Sequence, residues 1–495
     1  MKTVYSVIFF ILFFAFATAQ SGNPTDYLSA EFHKERREAL RVKLPENSVA
    51  VFFSNPVRNR ANDVDFIYHQ DPDFYYLTGY KEPNSVLVIF SNNQTNKDGK
   101  SFNELLFVQE KNPRAEQWTG IRLGTEGAKK ELGFENAFNG AAFLNSGIDY
   151  AKFDTVFCKE FEEDTRNFKN EKADLYKLIE AFKSQIGYSE KLKLQRESNV
   201  QNDMNTKIST TSKKATINTT SILSYMASLR ERKTKVELVL LTKAIRISAM
   251  GQREIMKAMH PEMSETEIQG IHEFVYKKYG SEFEGYPSIV GAGNNGCVLH
   301  YIENSKMKVE NDLVLMDLGA EYHGYTADVT RTIPANGKFS TEQKLIYDLV
   351  YGAQESGIAA AKVGNSFNAP DAAARKIISA GLVKLGIVKT EQESRKYFPH
   401  GTSHHIGLDV HDPGLYNSFE ADMVITVEPG IYIPIGSNCD KKWWGIAVRI
   451  EDDILITANG PVNLSAEAPR KSEDIESLMK EKSVFDGFLL PTLDK

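Results

Sequence analysis

Four carboxylates and one imidazole in the last third of the chain have the types and spacing to do chemistry: Asp317, Asp328, His404, Glu428 and Glu451. They occur in the segments VLMDLGAEYHGYTADVTRT, PHGTSHHIGLDVHD, VITVEPGIYI and GIAVRIEDDILI. Each lies in or beside an apolar, strand-like run. An acid buried there is costly unless it is paired or bound to a cation. An oxygen-rich set with one nitrogen suits manganese, zinc, iron or cobalt and differs from a thiolate site. Two such ions roughly 3.5–4 Å apart can clamp and ionise one water, which then attacks a carbonyl. A hydrolase is the leading reading.

The elements that must position these groups are strands. In TADVTRT, Asp328 shares a face with Thr330 and Thr332, because strand side chains alternate. By the same rule Arg449 and Glu451 point into one space, while Val448 and Ile450 take the other side. Glu428 follows MVITV and precedes Pro429-Gly430, where a strand ends. Taken singly, Asp317 and Asp328 read equally well as turn or ion-paired residues. Histidine shifts that balance: the chain has only ten, and His400, His404, His405 and His411 cluster among glycines. Extra histidines at such a site can donate hydrogen bonds or shuttle protons. Arg449 can hold a substrate carbonyl or carboxylate, or pair with a buried acid.

The rest of the chain divides by pattern. Lys2, the apolar run Val4–Phe16 and Ala17-Thr18-Ala19 have the form of a cleaved export leader over residues 1–19, too short to span a bilayer. The mature chain is expected outside the cytoplasm, periplasmic or extracellular, with no stable membrane span. Residues 27–43 read as a helix anchored by Phe32, Leu40 and Val42. SVAVFFS, SVLVIF and ELLFVQE read as buried strands, with a helix near 125–132 and another late in FKNEKADLYKLIEAFKSQ. Strands alternating with helices imply an α/β domain over 25–190. Residues 191–220 are polar and read as a connection. From 221 one amphipathic helix runs to His260-Pro261, and Ser264 with Glu267 forms a capping box for the next. From 311 strands dominate, with helices around 341–362 and 370–385. The second, α+β domain spans 221–480 and leaves a tail over 481–495.

Bulk properties exclude some partners. The 495 residues carry a net charge of −7 and are 41% hydrophobic and 25% charged, an ordinary globular composition. Nothing there favours nucleic acid or an anionic membrane surface. The basic stretches KKATINTT and RERKTK read as solvated faces. Cys158, Cys297 and Cys439 make no disulfide framework, and at most one bridge is expected.

The ordered ligand set resembles that of the metal-dependent pita-bread peptidases, above all the aminopeptidase P (Xaa-Pro aminopeptidase) group. DFYYLTGYKEPNSVLVI and EQWTGIRLG extend the resemblance over the N-terminal domain. It implies an α/β N-terminal domain of the creatinase/prolidase type, a pita-bread catalytic domain, and two divalent ions. Manganese is favoured, with zinc, cobalt or iron as alternatives. Asp317 would chelate one ion, Asp328 would bridge both, His404 would bind the other, and Glu428 and Glu451 would complete the set. His300 and His411 would contact the scissile peptide, and His400, Tyr432 and Arg449 would lie by the proline. Trp118 would reach a neighbouring subunit's site in a homodimer or homotetramer. The implied reaction releases the first residue of a peptide with proline second, through attack of a hydroxide bridging the two metals.

Two alternatives remain at this point. A prolidase would cleave only Xaa-Pro dipeptides, but its family pattern inserts residues, including a carboxylate-binding arginine, before the EPG strand. Here 23 residues separate His404 from Glu428, and none is arginine. A catalytically silent peptide-binding relative would have lost several of the acids, whereas all are present.

Overall fold

The computed structural model describes residues 24–168, 171–188, 215–488 and 490. The expected leader, residues 191–214 of the polar connection and the last part of the 481–495 tail lie outside the described residues.

The N-terminal region is built on a six-stranded mixed sheet. Its strand order is Ala137–Asn139, Ser101–Val108, Val86–Thr95, Ser48–Phe53, Thr155–Phe157, Thr216–Asn218. The two central pairings are antiparallel and the outer three parallel. Alternation along the strands explains why they are apolar on both faces. Ala50, Phe52, Leu87, Ile89 and Leu106 enter one core with Phe32 and Leu40 of helix Ala30–Lys43. Val49, Val51, Val86, Val88 and Phe107 enter another with Phe143, Phe153 and Phe182.

The C-terminal region holds four small antiparallel sheets wrapped by helices. Ile289–Ala292, Leu313–Leu318 and Val329–Pro334 form one, and Phe283–Glu284, Ala320–Tyr322 and Tyr325–Thr326 a second. Val424–Val427, Asp452–Thr457 and Gly460–Asn463 form the third, and Gly430–Ile433 pairs with Ile446–Arg449 in the fourth. Helices Lys235–Ala258, Glu265–Lys278, Thr341–Ala360 and Ala369–Lys384 cover them over a large core including Ile255, Val314, Met316, Ile346, Ile378 and Val448. This is the expected combination of an α/β domain and an α+β, pita-bread domain.

Several local expectations are corrected. Val42 is 87% exposed, because it sits about 200° around the helix from the buried Leu40. Its place in the core is taken by Arg37, fully buried and paired with Glu104 at 2.8 Å. The end of the polar connection, Thr216–Asn218, is the sixth strand of the N-terminal sheet. The single helix from 221 is two: Ser221–Arg230 ends, and Thr234 with Glu237 forms a complete capping box that starts Lys235–Ala258. At Ser264 the serine half of the box forms: its hydroxyl accepts from the Glu267 N–H. RERKTK is no solvated face, for Arg230, Glu231 and Lys233 are all buried. Cys297 and Cys439 carry free thiols.

Candidate metal and catalytic centre

Asp317 is the penultimate residue of Leu313–Leu318 and lies opposite Thr330 in the register. Asp328 immediately precedes Val329–Pro334, Glu428 immediately follows Val424–Val427, and Glu451 stands two residues past Ile446–Arg449. Four strand ends from three sheets thus meet at one point. His404 is tied to the same place by its backbone: its N–H donates to Thr426 Oγ1 at 3.2 Å, and its carbonyl accepts from the Thr426 N–H at 3.0 Å. Strand ends present ligands rigidly because the ladder behind them is fixed.

These groups line a cavity of about 620 Å³. His404 Nε2 lies 3.5 Å from Asp328 Oδ2 and 3.6 Å from Glu428 Oε1. Ligand atoms of Asp328, His404 and Glu451 all fall within 4.8 Å of one another, a grouping able to hold a metal ion. Arg449 donates to Asp317 Oδ2 at 2.5 Å, to the Tyr432 hydroxyl at 2.9 Å and to Thr330 Oγ1 at 3.2 Å. The Thr330 hydroxyl donates to Glu451 Oε2 at 2.6 Å.

The charge balance tests whether cations fit. Burial pushes Asp328 well above the usual carboxylate range, with Asp317 and Asp453 adding to it, and burial beside Asp328 does the same to Glu451. Glu428 is raised as well, chiefly by burial. Asp317 alone is lowered: burial works against it, but the Arg449 guanidinium and the Tyr286 hydroxyl outweigh it. The Tyr286 hydroxyl lies 2.6 Å from both Asp317 Oδ1 and Asp328 Oδ1. One hydroxyl proton cannot serve two carboxylates, so the cluster needs a further proton or a cation there. Four carboxylates and one imidazole, offset by a single guanidinium, are a donor set whose remaining negative charge divalent cations would neutralise.

Of the residues singled out from sequence, His300, His400, His411 and Arg449 line the same cavity as the five candidate ligands. Tyr432 is 3% exposed and lies behind the wall, its hydroxyl 2.7 Å from His400 Nε2. Burial and the nearby Arg449 lower His400 to about 4, so its ring is neutral at physiological pH. Trp118 does not line this chain's cavity; it is 85% exposed on helix Pro113–Thr119. His405, grouped with the other histidines by position, is fully buried against Phe367 and Tyr416. Sequence reasoning missed Tyr286, Thr330 as the link from Arg449 to Glu451, and Asp453, whose Oδ2 accepts the Asp328 N–H at 3.1 Å. Tyr286 stands outside any strand, in the turn before Ile289, and carries no periodic signal.

A cavity with this donor set at the meeting of three sheets has the makeup of a metal-dependent hydrolase. Residues 239–458 match the model of metallopeptidase family M24, and residues 33–148 match the aminopeptidase P N-terminal domain. The chain belongs to metallopeptidase family M24, in its aminopeptidase P branch. Xaa-Pro aminopeptidase of Escherichia coli (strain K12) is 32% identical over 467 residues, which cover 91% of this chain and 98% of that protein. The Haemophilus influenzae Xaa-Pro aminopeptidase is 34% identical over 469 residues, with the same coverage. Among solved structures, Pseudomonas aeruginosa aminopeptidase PepP superposes with a TM-score of 0.78 at 30% identity, covering 92% of this chain and 99% of that one. Aminopeptidase P from E. coli with the inhibitor Pro-Leu gives 0.76 at 32% identity, covering 92% and 98%.

Proposed function

We propose that this chain is an Xaa-Pro aminopeptidase: it releases the first residue from peptides whose second residue is proline. The observation that carries the reading is the convergence of Asp317, Asp328, His404, Glu428 and Glu451 in one cavity with Arg449, His300 and His411. In this reading the five hold two divalent ions, manganese first and zinc, cobalt or iron as alternatives. A solved relative is described as zinc-substituted E. coli aminopeptidase P in complex with product. Bound there, the pair supplies charge stabilisation and activates water at neutral pH.

The chain's own residues do the rest. Glu428, within 3.6 Å of both His400 and His404, takes the proton of the attacking water and delivers it to the leaving proline nitrogen. His300 and His411 stand at the open side of the cavity and donate to the oxygen that becomes negative in the transition state. His400, braced by Tyr432 and Arg449, forms the wall against the proline ring. A proline at the second position offers no amide N–H at the scissile bond, so selection rests on ring shape.

Export and assembly belong to the same proposal. The leader pattern over 1–19 supports a periplasmic or extracellular enzyme acting on proline-containing peptides. Among the described residues no helix is long and apolar enough to cross a membrane. Trp118 and Ile121, each 85% exposed, support a homodimer or homotetramer in which this edge meets a neighbour.

The test is hydrolysis of an Xaa-Pro-Yaa tripeptide beside an Xaa-Pro dipeptide, with manganese and then with chelator. Metal-dependent release of the first residue from the tripeptide is expected. Cleavage of the dipeptide alone would make the protein a prolidase, and cleavage of neither by folded, metal-loaded protein would overturn the proposal.

A further inference from the structure

His411 has an unusual problem of support. Among the described residues its imidazole has no hydrogen-bond partner; its ring only meets that of His404 edge-on, with centroids 4.3 Å apart. Its aim must therefore come from its backbone. That backbone belongs to a tight loop in which the Asp412 N–H donates to the His405 carbonyl at 3.0 Å and the Gly407 carbonyl accepts from the Thr326 N–H at 2.7 Å. The Asp412 carboxylate also closes the loop from within, accepting from the Asp409 N–H at 3.2 Å.

Four consecutive residues hold this loop and the chain that follows it. Arg230 donates to Asp412 Oδ1 at 2.5 Å and pairs with Asp409 at 3.2 Å. Glu231 accepts from the Leu415 N–H at 2.8 Å. Arg232 donates to the Ala421 carbonyl at 3.2 Å. Lys233 donates to Asp412 Oδ2 at 2.8 Å, and its own N–H donates to the Asp422 carbonyl, also at 2.8 Å. Arg230, Lys233 and Asp412 are at most 4% exposed. The fit leaves no slack: a Cβ on Gly407 would stand 2.5 Å from Asp412 Oδ2 and 2.9 Å from Lys233 Nζ. The grip reaches into the other domain, where Arg230 donates to Asp73 Oδ1 at 2.7 Å and Lys159 Nζ lies 2.7 Å from Asp73 Oδ2.

We propose that the Arg230–Lys233 corner, anchored on Asp73 of the N-terminal domain, is the positioning element for His411, with Arg230, Lys233 and Asp412 as positioning residues. The inference rests on the proposed role of His411 at the reacting carbonyl. Buried ion pairs seldom stabilise more than apolar packing of the same volume would. Their value here is direction: two cations seize both oxygens of the carboxylate next to His411. The N-terminal domain thereby acts on the reaction without touching substrate.

The experiment is a double-mutant cycle on the full, metal-loaded chain, with an Xaa-Pro-Yaa tripeptide as substrate. Asp73→Asn and Asp412→Asn are each combined with His411→Ala. Each single change at the clamp is expected to lower kcat about 10- to 100-fold, the scale seen when a supporting partner of an active-site group is lost. KM should stay within about twofold, as for an interaction felt in the transition state, and bound metal should be unchanged. In the His411→Ala background the same changes should cost almost nothing more, because what they position is gone. If either asparagine variant does not fold, Arg230→Lys keeps the charge, loses the two-way fork and enters the same cycle. An unchanged kcat in a folded variant, or an equal loss with and without His411, overturns the inference alone. No turnover by the wild-type protein overturns the proposed function and this inference with it.

Discussion

The chain buries two clusters of carboxylates a short distance apart, and it treats them in opposite ways. At the domain junction Asp73 and Asp412 face Arg230, Lys159 and Lys233. Burial opposes their ionisation, but those cations more than offset it. Asp73 is held down at about 2 with Lys159 and Arg230 beside it, and Asp412 is lowered by Arg230 and Lys233. In the cavity the one guanidinium, Arg449, is paired with Asp317, and burial outweighs its pull on the others: Asp328, Glu428 and Glu451 are all raised. The protein supplies its own cations where it needs a fixed structure. Where a metal is to bind it supplies only one, the Arg449 guanidinium on Asp317. Buried acids are therefore informative about function only together with the charges they face.

The largest test of this contrast is to remove one acid from each cluster. Asp328→Asn should abolish activity by about a thousandfold or more, the scale of losing charge stabilisation at a reacting centre. The same change should raise the melting temperature of the chelated protein, since it removes a carboxylate that repels its neighbours. Asp412→Asn should do the reverse to stability: leaving Arg230 and Lys233 underpaired costs about 3–5 kcal/mol. Calorimetry of both variants without metal checks the pair. A melting temperature lowered by Asp328→Asn would break the contrast.

Next in size is pH. A carboxyl whose pKa is raised by folding keeps more protons in the folded than in the unfolded state, so its contribution to stability falls as pH rises above the ordinary carboxylate range. Asp328, Glu428 and Glu451 should make the chelated protein lose stability from mildly acidic toward neutral pH. Asp73 and Asp412 have the opposite sign: their contribution is present above the unfolded pKa and is lost as pH falls toward about 2 for Asp73. Added manganese should remove the neutral-side loss and leave the acid-side loss in place. Melting temperatures against pH, with and without chelator, would show whether only one limb responds to metal.

Smaller effects sharpen the picture of the cavity wall. Tyr432→Phe removes a hydroxyl that touches both His400 and Arg449 and leaves the ring in place. It should cost about 1–3 kcal/mol of transition-state stabilisation from the unpaired groups, read as kcat/KM on a tripeptide, with metal content unaltered. Trp118→Ala should leave metal content and fold intact. It should change KM by only a few-fold, about 1 kcal/mol on the scale of a peripheral contact, and shift the oligomer distribution in sedimentation. An unshifted distribution would remove Trp118 from the assembly edge.

Much of this was legible because it is local. Both-face apolar strands such as Ser48–Phe53 announce a sheet covered on two sides. The ligand run from Asp317 to Glu451 is readable because each acid interrupts an apolar strand or ends one, a costly choice that needs a reason. The Thr234–Glu237 capping box was equally local and available, and the unbroken helix reading passed over it. The rest was not local. Val42 could have been excluded by helical periodicity alone, but the burial of Arg37 on helix Ala30–Lys43 rests on its pairing with Glu104, far along the chain. RERKTK resembles a solvated charge run until Asp73, Asp409 and Asp412 are brought around it.

The sequence by itself determined the types and order of the five candidate ligands, their place in or beside apolar strands and the strand-end position of Glu428, because periodicity, caps and breakers act over a few residues. Only the tertiary structure decided which acids have a cation and which lack one, that Tyr286 joins two of them, and that an N-terminal aspartate bears on His411. Those are contacts between side chains 31 to 182 residues apart. Nothing in the local chemistry of either partner encodes the meeting; it exists once both domains have packed.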